Sequence, residues 1–383
     1  MYCIKNGLIH TALTPEPFMG DILVEDGRIA HIGADLPVPE GCKVIDAEGL
    51  SVYPGFVEAH GHIGLDGTAI GYEGKDYNEY NDPVTPQLRA IDGINPMDPA
   101  LRQALEAGVT CVCTGPGSSN ALGGVFAAIK TWGVRVDDMI VKADVAMKCA
   151  FGENPKRVYK DKGISSRMTN AALIREALAK ARLYGQKKKA AGDDVLKMPA
   201  YDAKSEALLP VLEGSLPLKA HAHQANDFFT ALRIAKEFGL RITLEHVTEG
   251  HLVPDLLAAE NVPLAVGPSF GQASKFELQN KSWTTPGVLA KAGCQVSIIT
   301  DSPVIPQHHL PLCAGLAVKA GMDPFAALQA ITIHPARHIG IQDRVGSLEP
   351  GKDADIVITD GCPFSVETVV RYVLCNGQLV YTA

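Results

Sequence analysis

A chain of 383 residues, 46% hydrophobic and 20% charged, has enough apolar material for one large core and a small accessory domain, which excludes extended disorder. Its net charge of −8 argues against a phosphate backbone as partner, and no apolar run reaches the roughly 18–20 residues that span a bilayer. Nucleic acid and membrane are therefore not expected as partners, whereas a small-molecule substrate is.

The opening residues Met1–Gly7 lack a basic stretch followed by an apolar one, so no signal peptide is expected. Nine cysteines without C-x-x-C spacing read as reduced thiols in a cytoplasmic protein. The first fifty residues alternate short β patterns with turns: Asp21–Glu25 and Arg28–Gly33 flank Asp26-Gly27, a hairpin signal, and Cys42–Ile45 follows. Val52–Ala59 reads as a strand that delivers His60-Gly61-His62. The long segment 63–96, rich in Gly, Asp, Asn and Tyr, suits a lid or pocket wall better than a spacer.

Asp98-Pro99 opens a helix, and Val109–Thr114 is a buried strand. The same capping residue before proline recurs at Thr285-Pro286 and Asp323-Pro324. A long helical pattern covers Thr169–Gly185, with Leu173, Ala177, Leu178 and Ala181 on one face. Four units then alternate. Helices near 204–213, 226–238, 252–260 and 286–292 lead to strands 217–221, 241–246, 263–267 and 295–300. The last forty residues return to β style, with Asn376-Gly377 as a turn. Such alternation implies an α/β protein with a parallel sheet. The expected architecture is a (β/α)₈ TIM barrel over 54–339 and a small β-sandwich domain assembled from 1–53 and 340–383.

Polar residues stand at the ends of the apolar strands. His60 and His62, two apart on a strand, face the same way and can bind one ion. Other strands end at His221, His246 and Asp301, and barrels build their sites at the carboxyl ends of strands. One such histidine is more often structural than a ligand. The set together is hard to explain by packing. Lys148 and Glu153 lie at the end of a further apolar stretch. His223 is expected to turn away from His221 if strict alternation continues, as a substrate contact or a structural residue. The cations Lys156, Arg157, Lys160 and Arg167 could grip a substrate carboxylate or simply be solvated.

Pro54–His62 (Pro-Gly-Phe-Val-Glu-Ala-His-Gly-His), His221, Glu245-His246, Thr300-Asp301-Ser302 and the stretch 332–357 together resemble the amidohydrolase superfamily, along nearly the whole chain. The pattern is most similar to the imidazolonepropionase-related members and the metal-dependent dipeptidases. The resemblance implies one or two divalent metals, zinc being the expected ion. His60 and His62 would hold a buried ion, and His221 and His246 a more exposed one. Asp301 would bind metal and shuttle protons, as catalytic residue. A bridging carboxylate is implied too, from Glu153 or from Lys148 after carboxylation. Divalent metal lowers the pKa of bound water from ~15.7 toward ~7, so metal-activated hydroxide would attack a C–N bond in an amide, cyclic amide or dipeptide-like substrate.

One departure matters. Mononuclear deaminases of the superfamily carry a glutamate three residues after the strand-five histidine, where this chain has Gln224, which cannot move protons. A mononuclear aminohydrolase of heterocycles is the alternative reading. A non-catalytic scaffold barrel would have lost ligands, and none is missing. Homo-oligomerisation is left open.

Overall fold

The computed structural model describes every residue except 67, 69 and 70. Two eight-stranded sheets organise the α/β fold. The first gathers both ends of the chain: Tyr2–Ile9, Phe18–Glu25, Arg28–Gly33, Lys43–Asp46 and Ser51–Pro54 join Ile356–Thr359, Val370–Cys375 and Gln378–Thr382. Ser51–Pro54 pairs antiparallel with Ile356–Thr359 and sews the two ends together. Ile4, Ile22, Ile29, Val52, Ile356 and Leu374 fill the core beside it. Both expected hairpin turns form, with positive φ at Asp26 and Gly27 and at Asn376 and Gly377, the backbone that Asp-Gly and Asn-Gly favour.

The second sheet holds β1 (Phe56–Gly61), β2 (Val109–Thr114), β3 (Leu122–Lys130), β4 (Ile140–Ala150), β5 (Leu218–Ala222), β6 (Ile242–His246), β7 (Leu264–Val266) and β8 (Val296–Ile298), in that spatial order. The gap between β8 and β1 is bridged by residues 330–331: Val57 N–H donates to Ile331 O and Ile298 N–H to Ala330 O, each at 2.8 Å. The sheet is thereby nearly closed into a barrel. Helices Ala203–Leu212, Ala225–Phe238, Pro254–Glu260 and Thr285–Lys291 precede β5 to β8 as the alternation predicts.

Two expectations need correction. The barrel is not uniformly parallel, because β3 runs antiparallel to both β2 and β4. Segments 115–121 and 131–139 are too short for the crossover of a dozen or more residues that a parallel return needs. Nor is Val52–Ala59 one strand. Ser51–Pro54 belongs to the terminal sheet and Phe56–Gly61 to the barrel. Gly55 makes the transfer, since a Cβ there would lie 2.1 Å from Thr110 Oγ1.

The caps are mixed. Asp98 and Asp323 accept from Ala100 N (2.9 Å) and Ala326 N (2.8 Å). Thr285 instead starts the helix itself and hydrogen-bonds to His251 Nδ1 at 2.9 Å. Helix Arg167–Ala191 runs longer than expected, capped by Ser166 and seated on the barrel through Ile174, Leu178 and Ala181. No described helix is long and apolar enough to cross a membrane.

Lys130, at the end of β3, is buried between Asp355 (2.7 Å) and Asp353 (3.1 Å), on the segment that leads from the barrel to the terminal sheet. Removing one partner of a buried ion network strands the others without solvent. Lys130→Ala is therefore expected to lower the unfolding free energy by about 3–5 kcal/mol, measured by urea denaturation. A loss below about 1 kcal/mol would place the network among ordinary surface pairs.

Candidate metal centre

β1, β5 and β6 run in one direction and release their histidines at the same rim of the barrel. His60 and His62 lie with ring centroids 5.5 Å apart, His60 and His246 5.0 Å, and His221 and His246 4.3 Å. Asp301, just past β8, places Oδ1 3.3 Å from His62 Nε2 and 3.7 Å from His60 Nε2. Two groups result, each with ligand atoms within 4.8 Å of one another: His60, His62 and Asp301, then His221, His223 and His246.

Four of the five rings are held at Nδ1. Nδ1 of His62 bonds Gly115 O (2.7 Å), that of His221 Ser118 Oγ (2.7 Å), that of His223 Thr248 Oγ1 (2.7 Å) and that of His246 Gly267 O (2.9 Å). Nδ1 of His60 faces Glu245 Oε2 at 3.3 Å. An imidazole pinned at Nδ1 presents Nε2 to an ion, the usual arrangement at metal sites. His246 Nε2 and Asp301 Oδ1 are buried with no hydrogen-bond partner among the described residues. Orphaned buried acceptors are costly unless something satisfies them, and an imidazole and carboxylate donor set suits zinc-like ions. The residues present fit a divalent metal.

The electrostatics agree. Burial drives His60 and His221 well below the usual imidazole range, helped by Lys148 at His60 and by His246 at His221, and it brings His246 down to about 4. Burial thus favours the neutral form of these rings at neutral pH. Burial opposes ionisation of Asp301, yet His246, His62 and His60 outweigh it and hold the carboxyl well below its ordinary value.

Of the two candidates for a bridging group, the structure brings Lys148 to the centre. It is fully buried on β4, with Nζ 3.1 Å from His60 Nε2. Burial, partly offset by Asp301 and Glu245, depresses its ammonium to about 8. Glu153 lies elsewhere. It begins the short helix Glu153–Val158, and its Oε2 accepts Glu277 N at 3.2 Å, outside both histidine groups. The strand stops at Ala150, and the turn at Gly152 (φ 84°) carries Glu153 off the rim.

His223 does not turn away from His221. Residues two apart on a strand share a face, and the two rings stand 4.7 Å apart. Arg167 is not free to grip a substrate: its guanidinium donates to Asp227 (3.0 Å) and to Gln224 Oε1 (2.5 Å). The Gln224 side chain is thereby turned to Arg167.

Sequence reading quoted two buried carboxylates, Glu58 and Glu245, only as part of motifs and gave them no role. Glu58 accepts from Thr300 N (2.9 Å), Thr300 Oγ1 (2.7 Å) and Gln307 Nε2 (2.9 Å), so it ties β1 to the residue before Asp301. Burial pushes its carboxyl up to about 7. Glu245 is wrapped by Lys219 (2.9 Å) and His338 (2.9 Å) and faces His60. Burial opposes its charge, but Lys219 and His338 keep it well below the ordinary range. Each is a lone acid in an apolar strand, and that was the available signal.

Beside the histidines opens a cavity of about 420 Å³, lined among others by His62, Tyr77, Asn154, Arg157, Lys275 and Asp301. Tyr77, from segment 63–96, packs 5.2 Å from the His62 ring, so this segment does form a wall.

A nearly closed barrel with histidines and an aspartate at one rim defines a class of metal-binding hydrolase folds. Residues 213–382 match the amidohydrolase family profile. The chain is 39% identical to an amidohydrolase from Thermotoga maritima MSB8 over 100% of both chains, with a TM-score of 0.96. The chain belongs to the amidohydrolase family. It is also 31% identical to amidohydrolase tasK of Hapsidospora irregularis over 94% of its own length, and 27% identical to an adenine deaminase of Listeria monocytogenes serotype 4b (strain F2365) over 98%. It spans only 40% and 57% of those two relatives.

Proposed function

We propose that this protein is a binuclear metal-dependent hydrolase that cleaves a C–N bond in an amide, cyclic amide or dipeptide-like substrate. The observation that carries the reading is five buried imidazoles, four of them anchored at Nδ1, gathered with Asp301 and with Lys148 beside His60 Nε2. His60, His62 and Asp301 would hold one ion and His221 and His246 the other, zinc being the ion this donor set suits. Bound there, the metal would supply an acidified water and polarise the scissile carbonyl. Asp301 would serve as the proton carrier, accepting a proton from the attacking water and passing it to the leaving nitrogen. Lys148, rather than Glu153, is the bridge in this reading. Its neutral amine adds CO₂ to give a carbamate and one proton, and burial supplies the neutral amine. Arg157 lines the cavity without an ion pair among the described residues, which favours a substrate with an acidic group, whereas Lys275 on the same lining is already paired with Glu277.

We also read the terminal sheet as a small sandwich folded about its isoleucine core, with the barrel between 54 and 339. A cytoplasmic setting is supported by nine unpaired cysteines.

A second reading, an aminohydrolase of heterocycles, is favoured by the relatives named adenine deaminase. Against it stands Gln224, turned to Arg167. One experiment separates the two. The purified protein is stripped with chelator, reloaded with zinc, counted for ions, and given dipeptides, N-acyl amino acids, cyclic amides and aminated heterocycles. Two ions per chain, with cleavage or ring opening lost to chelation and restored by zinc, is the expected outcome. One ion per chain with ammonia released from a heterocycle would favour the second reading. Failure to retain any ion would remove both.

A further inference from the structure

Between the histidines and the β7–β8 connection lies a carboxylate that the proposed chemistry does not use. Glu277 sits in the short turn Phe276–Leu278, outside the barrel strands, and is fully buried. Its Oε1 lies 3.8 Å from His221 Nε2 and 3.7 Å from His223 Nε2. Those separations are too long for hydrogen bonds. They are slightly longer than the spacing of two ligands on one cation, since Zn–N and Zn–O bonds of about 2.0–2.2 Å set tetrahedral ligand atoms roughly 3.3–3.6 Å apart, and a small inward shift of the side chain would close the difference.

The carboxylate is also clamped. Lys275 Nζ donates to Oε1 at 2.5 Å and Glu153 N to Oε2 at 3.0 Å, while Glu153 Oε2 accepts Glu277 N at 3.2 Å in return. This reciprocal clasp joins the β7–β8 connection to the helix Glu153–Val158. Gly152 makes room for it, because a Cβ there would lie 2.4 Å from Glu277 Oε2. Both histidines that Glu277 faces have Nδ1 engaged by a hydroxyl, from Ser118 and Thr248, so the nitrogens turned to it are the ligating ones.

We infer that Glu277 and His223 complete the coordination of the second ion, so that this site takes its ligands from two barrel strands and one loop rather than from His221 and His246 alone. The inference rests on the binuclear reading above. Glu153 then acts as a positioning residue that holds the liganding loop through the backbone.

The test uses the full chain, stripped of metal and titrated with Co²⁺, with ions per chain counted by mass spectrometry and the visible Co²⁺ spectrum recorded. Wild type is expected to take two ions. Glu277→Gln and His223→Gln should each retain the first and bind the second at least tenfold more weakly, with an altered spectrum, while circular dichroism stays native. Glu277→Asp keeps the charge beside Lys275 but withdraws the oxygens by one methylene. It should behave like Glu277→Gln if the group is a ligand, and like wild type if it serves only as the partner of Lys275. Should folded Glu277→Gln, Glu277→Asp and His223→Gln all take two ions with wild-type affinity, the assignment falls and the binuclear hydrolase stands. A wild-type count of one or none overturns the binuclear reading and this assignment with it.

Discussion

Asp301→Asn is expected to lower kcat about 10²–10⁴-fold on the best substrate of the panel, the range for loss of a positioned general base. This corresponds to roughly 2.7–5.4 kcal/mol of transition-state stabilisation. The side chain lies 3.3 and 3.7 Å from two histidine nitrogens. Asparagine keeps the shape and one coordinating oxygen but cannot accept a proton. It also tolerates the positive φ of 53° that the backbone adopts here, so the substitution adds no strain. The surrounding frame stays in place: Glu58 holds Thr300 on one side, and His62 N–H donates to Ser302 O at 2.7 Å on the other. The ion at His60 and His62 should therefore persist. Turnover within tenfold of wild type would show that some other group moves the proton.

Lys148→Met should remove the bridge and depress kcat by about 10²–10³-fold or more, the scale seen when one charge-stabilising group is lost from a site. Methionine nearly fills the space of the buried lysine stem, so packing against β3 and β5 survives while the amine is gone. A second consequence follows from the chemistry. Exposure of wild type to ¹³C-labelled bicarbonate should give a carbamate signal by NMR in the metal-loaded protein, and Lys148→Met should give none. Lys148→Ala leaves a cavity beside His60 that formate or acetate can enter, and partial recovery of turnover with those acids is expected. If wild type shows no carbamate and Lys148→Met keeps both ions and full turnover, Lys148 is a buried amine with no part in the centre.

The strand and helix alternation after residue 200 was legible because buried parallel strands are short apolar runs between amphipathic helices, a pattern that local sequence states openly. The helices and strands found there lie within a few residues of their expected ends. His60 and His62 were equally legible, since a period of two places both on one face. The same rule, misapplied to His223, gave the wrong side. The reversed strand Leu122–Lys130 was not legible: strand direction depends on how far a connection must reach, and apolar content carries no direction. The break at Gly55 was hidden for a related reason, because two strands of different sheets joined end to end read as one apolar run.

Local order alone thus determined which residues are histidines, acids and amines at the ends of apolar strands, and so what chemistry this chain can support. Tertiary structure decided which of them meet. Lys148 comes to His60 and Glu153 does not, and Glu277 reaches His221 and His223 from a loop of no sequence periodicity. The physical reason is that periodicity fixes the facing of a side chain within one element, whereas proximity between elements is set by barrel closure and by the burial of charges that must find partners.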